Sequence, residues 1–221
     1  MPAYRSAAEA EVRDAVISAL RILRPSARII HEINAGTWGP NRIDVLAVDR
    51  SEIIAVEVKS AKDKLDRLPD QIKSMSAVAQ HVIAALHEKH LVSIDNPKCP
   101  DIKKAPKQAR GAVVWCYPEA GTERGRSYGV AQWEKPAFMP KNCLPPGSLN
   151  FLWRDELFRA CKDLGVAAKS TTTRPSMMNA INWNCTGQQI SWAICAALRR
   201  RPCVEADPSV ESDIPFCPEW R

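Results

Sequence analysis

The stretch Arg42–Ser60, RIDVLAVDRSEIIAVEVKS, constrains the fold more than any other. Two apolar runs, Ile43–Val48 and Ile53–Val58, flank the polar tetrapeptide Asp49-Arg50-Ser51-Glu52. β-Branched and apolar runs of this length on either side of a turn predict two paired antiparallel strands. With the turn closing at Arg50-Ser51, positions whose numbers sum to 101 face one another. Asp44 then lies opposite Glu57, with β-carbons roughly 4.5–5.5 Å apart. Lys59 shares the face of Glu57, because side chains along a strand alternate with period two. Two carboxylates and an ammonium therefore converge in a small space.

That convergence is costly. Like charges directly opposite destabilise a sheet, and unpaired buried charges cost more. A divalent cation would remove the conflict, since hard cations favour carboxylate oxygens. The competing structural account is a plain Asp44–Lys59 salt bridge with Glu57 reaching solvent.

Asp44, followed by Glu57-Val58-Lys59 at the end of a second apolar strand, resembles the signature of the PD-(D/E)XK nuclease superfamily. Ile43 stands where that family usually has Pro. The surroundings match as well: a helix carrying an acid precedes the two strands and another helix follows them. The resemblance is nearest to small bacterial and phage-borne members, among them the MmcB-like DNA-repair nucleases, and covers about Ala7 to Leu86. It implies an α/β fold of restriction-endonuclease type, a mixed β-sheet flanked by helices. It also implies Mg²⁺ or Mn²⁺ as cofactor and hydrolysis of DNA phosphodiester bonds, in repair, recombination or phage DNA processing.

The same resemblance implies the site. Asp44, Glu57, the Val58 carbonyl and a first-helix glutamate would hold the metal, with Lys59 beside the reacting phosphate. Gln71 is placed like the polar residue that RecB-like members carry on the helix after the ExK strand, although Met75 replaces the usual tyrosine four residues on. Helical geometry chooses between the two candidate glutamates. At 100° per residue, Glu9 lies about 50° from the centre of the apolar stripe and Glu11 about 110°, so Glu9 takes the role. A purely electrostatic role for both at the helix N-terminus is the alternative. Two further readings stay open: the same chemistry on structured RNA, and a catalytically silent DNA-binding or assembly protein on the nuclease fold.

Composition narrows the field. The 221 residues suffice for one ample domain or a domain with a small appendage, and 45% hydrophobic with 25% charged content is that of a globular protein. No apolar run approaches the ~20 residues that span a bilayer. Acids occur by residue 9 and no signal-peptide core is visible, so a cytoplasmic protein without membrane contact is expected. The net charge of +6 is compatible with DNA held through its backbone, and no base-reading motif is visible. The eight cysteines include no C-x-x-C pair, which argues against a zinc ribbon and for reduced thiols. The oligomeric state is not legible.

In chain order, Ser6 can cap a helix running to about Leu23, with Val12, Val16 and Leu20 in its buried stripe. Arg28–Asn34 predicts a first strand, and the Gly- and Pro-punctuated loop after it carries Trp38, which could flank a substrate. A helix is expected from near Pro69 and a strand over His81–Leu86. Lys98–Arg110 reads as a basic loop or short helix. Gly111–Cys116 and Ser127–Trp133 read as two further strands joined by the polar turn Gly121–Arg126. Ser148 is expected to cap a helix to Leu164, stopped by Gly165. Two more helices follow, from Pro175 and over about Thr186–Arg201, the last with Arg199-Arg200-Arg201 at its end favouring the helix dipole. The resulting division is a nuclease-like core over 1–135, a Pro-rich linker over 136–147, a C-terminal helical appendage over 148–205 and an irregular tail over 206–221.

Overall fold

Helix α1 (Ala7–Leu23) begins where Ser6 Oγ accepts the Glu9 amide proton, and its buried side chains Val12, Val16 and Leu20 repeat at helical spacing. Strands β1 (Arg28–Asn34), β2 (Arg42–Val48) and β3 (Ile53–Lys59) follow, then α2 (Leu68–Ser76) and β4 (His81–His87). β5 (Val92–Ser93) and β6 (Lys103–Lys104) form a small separate ribbon. β7 (Val113–Tyr117) then leads to α3 (Arg154–Asp163), α4 (Arg174–Asn184) and α5 (Gly187–Arg200). The computed structural model describes residues 6–34, 42–94, 102–118, 127–133 and 143–211. Trp38, the 121–126 turn, residues 136–142 of the Pro-rich segment and the tail from 212 on lie outside the described residues.

The sheet has the order β1-β2-β3-β4-β7. β1, β2 and β3 pair antiparallel. β4 and β7 join in parallel, and α2 makes the crossover from β3 to β4. This is the expected mixed α/β sheet flanked by helices. Alternation builds a core on each face. Along β3, Ile54, Val56 and Val58 pack with Val12, Val16 and Leu20 of α1. Ile53 and Ala55 pack with Leu68, Ile72 and Met75 of α2 and with Ile194, Cys195 and Leu198 of α5. Among the described residues, no helix is long and apolar enough to cross a membrane.

The C-terminal helices close the second face of the sheet and share its core. Arg28 in β1 donates to the carbonyls of Leu198, Arg199 and Arg201, satisfying the free end of α5 from inside the protein. Arg199 is buried and donates to Ser26 O and Val48 O, and Arg201 binds Glu156 and Phe151 O. These arginines are ties between elements, a role the dipole argument did not include. Gly147 comes close to α2's end: a Cβ there would sit 2.4 Å from the Ala77 carbonyl oxygen.

Three expected elements differ. Ser127–Trp133 makes only isolated bridges, Tyr128 to Lys104 and Val130 to Val114, because Gly129 takes φ +74° and breaks the extended course. Trp133 still enters the core and stacks on Trp115 with ring centroids 4.9 Å apart. Gly111 adopts φ +98°, so β7 starts at Val113. Pro146–Phe151 is a 3₁₀ segment, and the Ser148 hydroxyl points inward to Val78 O at 2.8 Å, so α3 starts at Arg154 with the Glu156 side chain bonding back to Trp153 N. Residues 204–211 are irregular but pinned. Ala206 bridges Ile30, His31 N donates to Glu205 O, Asp207 N donates to Ile29 O, and Asp207 accepts from Ile29 N and Arg21.

Candidate active site

The β2–β3 ladder carries the expected register, with Val48↔Ile53 through Val45↔Val56 summing to 101. It stops one pair before Asp44 and Glu57. Beyond Val45 the strands part, and Asp44 Oδ2 instead accepts the Val58 amide proton at 2.9 Å. The parting opens a pocket of about 290 Å³ lined by Glu9, Asp44, Glu57, Val58, Lys59 and Gln71. All six residues expected at the site thus share one cavity. Asp63, Lys64, Asp66 and Arg67, from the segment between β3 and α2, form its rim.

Inside, Lys59 Nζ donates to Glu57 Oε1 at 2.7 Å, and Gln71 Nε2 donates to the same oxygen. Lys59 therefore pairs with Glu57, not with Asp44 alone, and Glu57 does not reach solvent: it is 2% exposed. Glu57 Oε2 and Gln71 Oε1 are buried with no hydrogen-bond partner among the described residues. A buried carboxylate oxygen left in this state carries the full cost of desolvation. Burial pushes the Glu57 carboxyl well up, and the Asp44 charge adds to it, against the pull of Lys59 and Gln71. Asp44 is raised too, chiefly by burial, against the Val58 amide and the Arg13 charge.

Glu9 is buried and lines the pocket, whereas Glu11 is exposed, as the helical wheel predicts. One Glu9 oxygen is engaged: Arg13 Nη2 lies 2.5 Å from Glu9 Oε1. The same nitrogen lies 2.6 Å from Glu32 Oε1 and 3.8 Å from Asp44 Oδ1. Glu32 in turn meets Arg42 at 2.5 Å. Glu32 has φ +56°, a left-handed conformation uncommon for a residue with a side chain. The β1–β2 ladder runs His31↔Val45 and Ile33↔Ile43 and skips the Glu32–Asp44 position between them. Arg13 and Glu32, like the rim residues Asp63, Lys64, Asp66 and Arg67, were not among the residues expected at the site. Arg13 had a readable signal, a spacing of four from Glu9 on the edge of the apolar stripe. The kink at Glu32 had none.

Residues 3–102 match the family model of bacteriophage P4 protein cII. The matched stretch is shorter than half of the chain. It contains α1 through β4 and with them every pocket residue named above. No curated protein and no solved structure matches the chain.

The donor set fits a hard cation in part. Asp44 and Glu57 converge on one cavity, both raised in pKa, and Glu57 Oε2 has no donor among the described residues. An ion there would relieve both conditions. No three His, Cys, Asp or Glu side chains come together as a metal-holding group among the described residues. The third and fourth nearby acids, Glu9 and Glu32, are turned to Arg13. Elsewhere, His90 bonds the Ser60 carbonyl and His87 the Lys89 amide, so neither faces this cavity.

Proposed function

We propose that this protein is a metal-dependent nuclease of the PD-(D/E)XK type that hydrolyses DNA phosphodiester bonds. The observation that carries the reading is the pocket at the parting of β2 and β3. It holds Asp44, Glu57, Lys59 and Gln71 together, with Glu57 Oε2 buried and unpartnered. Asp44, Glu57 and the Val58 carbonyl would hold Mg²⁺ or Mn²⁺. When bound, the ion would supply Lewis-acid polarisation of the phosphate and neutralise charge on the leaving oxygen.

The chain's own groups do the rest. The Lys59 ammonium, held by Glu57, is a compact charge that can donate to the attacking water or to a phosphate oxygen as negative charge develops. Gln71 donates from its amide nitrogen to the Glu57 carboxylate, and its Oε1, without a partner among the described residues, can accept a hydrogen bond from that water. Exposed Lys64 and Arg67 on the rim suit contacts with backbone phosphates, so binding should weaken steeply with salt. The match of residues 3–102 to a phage protein family supports a phage setting.

The test is cleavage of supercoiled, linear, single-stranded and branched DNA, and of structured RNA, with Mg²⁺ or Mn²⁺ and with EDTA. Glu57→Ala should lower cleavage by more than the roughly 10–100-fold that follows loss of an outer metal-site partner. DNA binding should stay equal or tighten, because a charge that repels phosphate is gone. Near-normal Mg²⁺-dependent cleavage by Glu57→Ala would place the metal site elsewhere. Cation-dependent cleavage of none of these polymers, with DNA still bound, would favour a silent DNA-binding protein.

A further inference from the structure

The pocket contains more acid than one cation needs, and the fold has placed a cation of its own among the surplus. Arg13 is fully buried on α1. Its Nη2 faces Glu9 on its own helix, Glu32 on the kinked part of β1, and Asp44 on β2, at 2.5, 2.6 and 3.8 Å. Three carboxylates from three elements point at one guanidinium nitrogen. Such a charge inside the protein must be compensated, and here the compensation is shared. The left-handed backbone at Glu32 sits where β1 would otherwise pair with Asp44, and the Glu32 side chain reaches Arg13 from there.

Resting on the nuclease reading above, we propose that Arg13 is a positioning residue that stands in for a second metal ion. It draws Glu9 and Glu32 to itself and leaves Asp44 and Glu57 to hold the ion, so that the site takes a single divalent cation. Two observations support this division. No group of three acids able to hold a metal forms among the described residues, although Glu9, Asp44 and Glu57 line the pocket and Glu32 lies next to it through Arg13. Among the described residues, the buried carboxylate oxygen without a hydrogen-bond partner belongs to Glu57. Glu9 then acts as a counter-charge that holds Arg13 in place, and not as a metal ligand. This changes the role that the helical wheel gave it.

The consequence is a count. Mn²⁺ binding to the full chain, followed by calorimetry and by the loss of the free-ion paramagnetic resonance signal, should give one site in the wild type. Glu57→Gln should weaken that site at least tenfold. Arg13→Met leaves Glu9, Glu32 and Asp44 facing one another without their cation, and should bind two Mn²⁺. Arg13→Lys keeps the charge and should bind one. Should Arg13→Met fail to fold, the paired variants Glu9→Gln and Glu32→Gln decide. Each loosens the same guanidinium next to Asp44, so both should weaken Mn²⁺ binding by factors within about threefold of each other. A loss confined to Glu9→Gln would make Glu9 a ligand and overturn the proposal. Two ions in the wild type, or a single unchanged ion in a folded Arg13→Met, would overturn it while leaving the nuclease reading intact. No Mn²⁺ bound to the wild type would remove both.

Discussion

Glu57 concentrates the chemistry of the protein in one side chain. Its carboxyl is raised from an ordinary value of 4.5 to about 7 by burial and by the neighbouring Asp44 charge. A raised carboxyl favours the protonated form in the folded state. Its contribution to stability is therefore fully present below pH 4.5 and is lost as the pH rises through about 7. Glu57→Gln removes that titration. The melting temperature of Glu57→Gln minus that of the wild type, in EDTA, should grow between pH 4.5 and pH 8. The full change should be on the order of 3 kcal/mol, or roughly 6–12 °C for a chain of this size. Glu52 shifts the other way, lowered to about 2 by His81 and Arg24 despite its burial, so its carboxylate stays ionised throughout that window. Saturating Mn²⁺ should flatten the wild-type curve above pH 7. A temperature difference independent of pH would show that Glu57 is ionised in the folded protein at no cost.

The strands and the first helix were legible because their cause is local. Val12, Val16 and Leu20 repeat at helical spacing, and Ile53, Ala55 and Glu57 alternate with Ile54, Val56 and Val58. The register of β2 on β3 follows from one turn, and with it the meeting of Asp44 and Glu57. What was not legible depends on distant chain. The left-handed turn of the backbone at Glu32, which brings its carboxylate to Arg13, has no local signal. Ser148 reads as a helix cap until Val78 O claims its hydroxyl. Ser127–Trp133 has the apolar content of a strand, but Gly129 turns it away from the sheet. Gly147 gives a test at this scale. The Ala77 carbonyl lies where a Cβ would stand, so Gly147→Ala must push the 3₁₀ segment off the end of α2. A loss of about 1–3 kcal/mol in urea unfolding is expected, and an unchanged midpoint would mean that the two segments are not tightly apposed.

For the molecule as a whole, the five-stranded sheet and the C-terminal helices form one body. Ile194, Cys195 and Leu198 of α5 occupy the same apolar cluster as Leu46, Val48 and Ile53. Arg28 and Arg199 cross between the two parts with their hydrogen bonds. Cooperative units follow shared cores. Native-state hydrogen exchange should therefore give the central amides of α5 the same opening free energy as those of β2 and β3. Exchange of α5 at a clearly lower free energy would mark the helices as a separately unfolding unit.

The pinning of Glu205–Asp207 along β1 bears on how the protein behaves in a crowd of its own copies. β1 is the first strand of the sheet, and the amides of Ile29 and His31 face outward from it. A bare strand edge is a template on which another chain can add a strand. Here the chain's own Glu205 carbonyl and Asp207 carboxylate take both amides. Loss of everything after Pro202 would uncover the template while leaving the pocket residues untouched. The shortened protein should scatter light in a concentration-dependent way at dilutions where the full chain stays clear, and a short peptide of the missing segment should suppress that scattering.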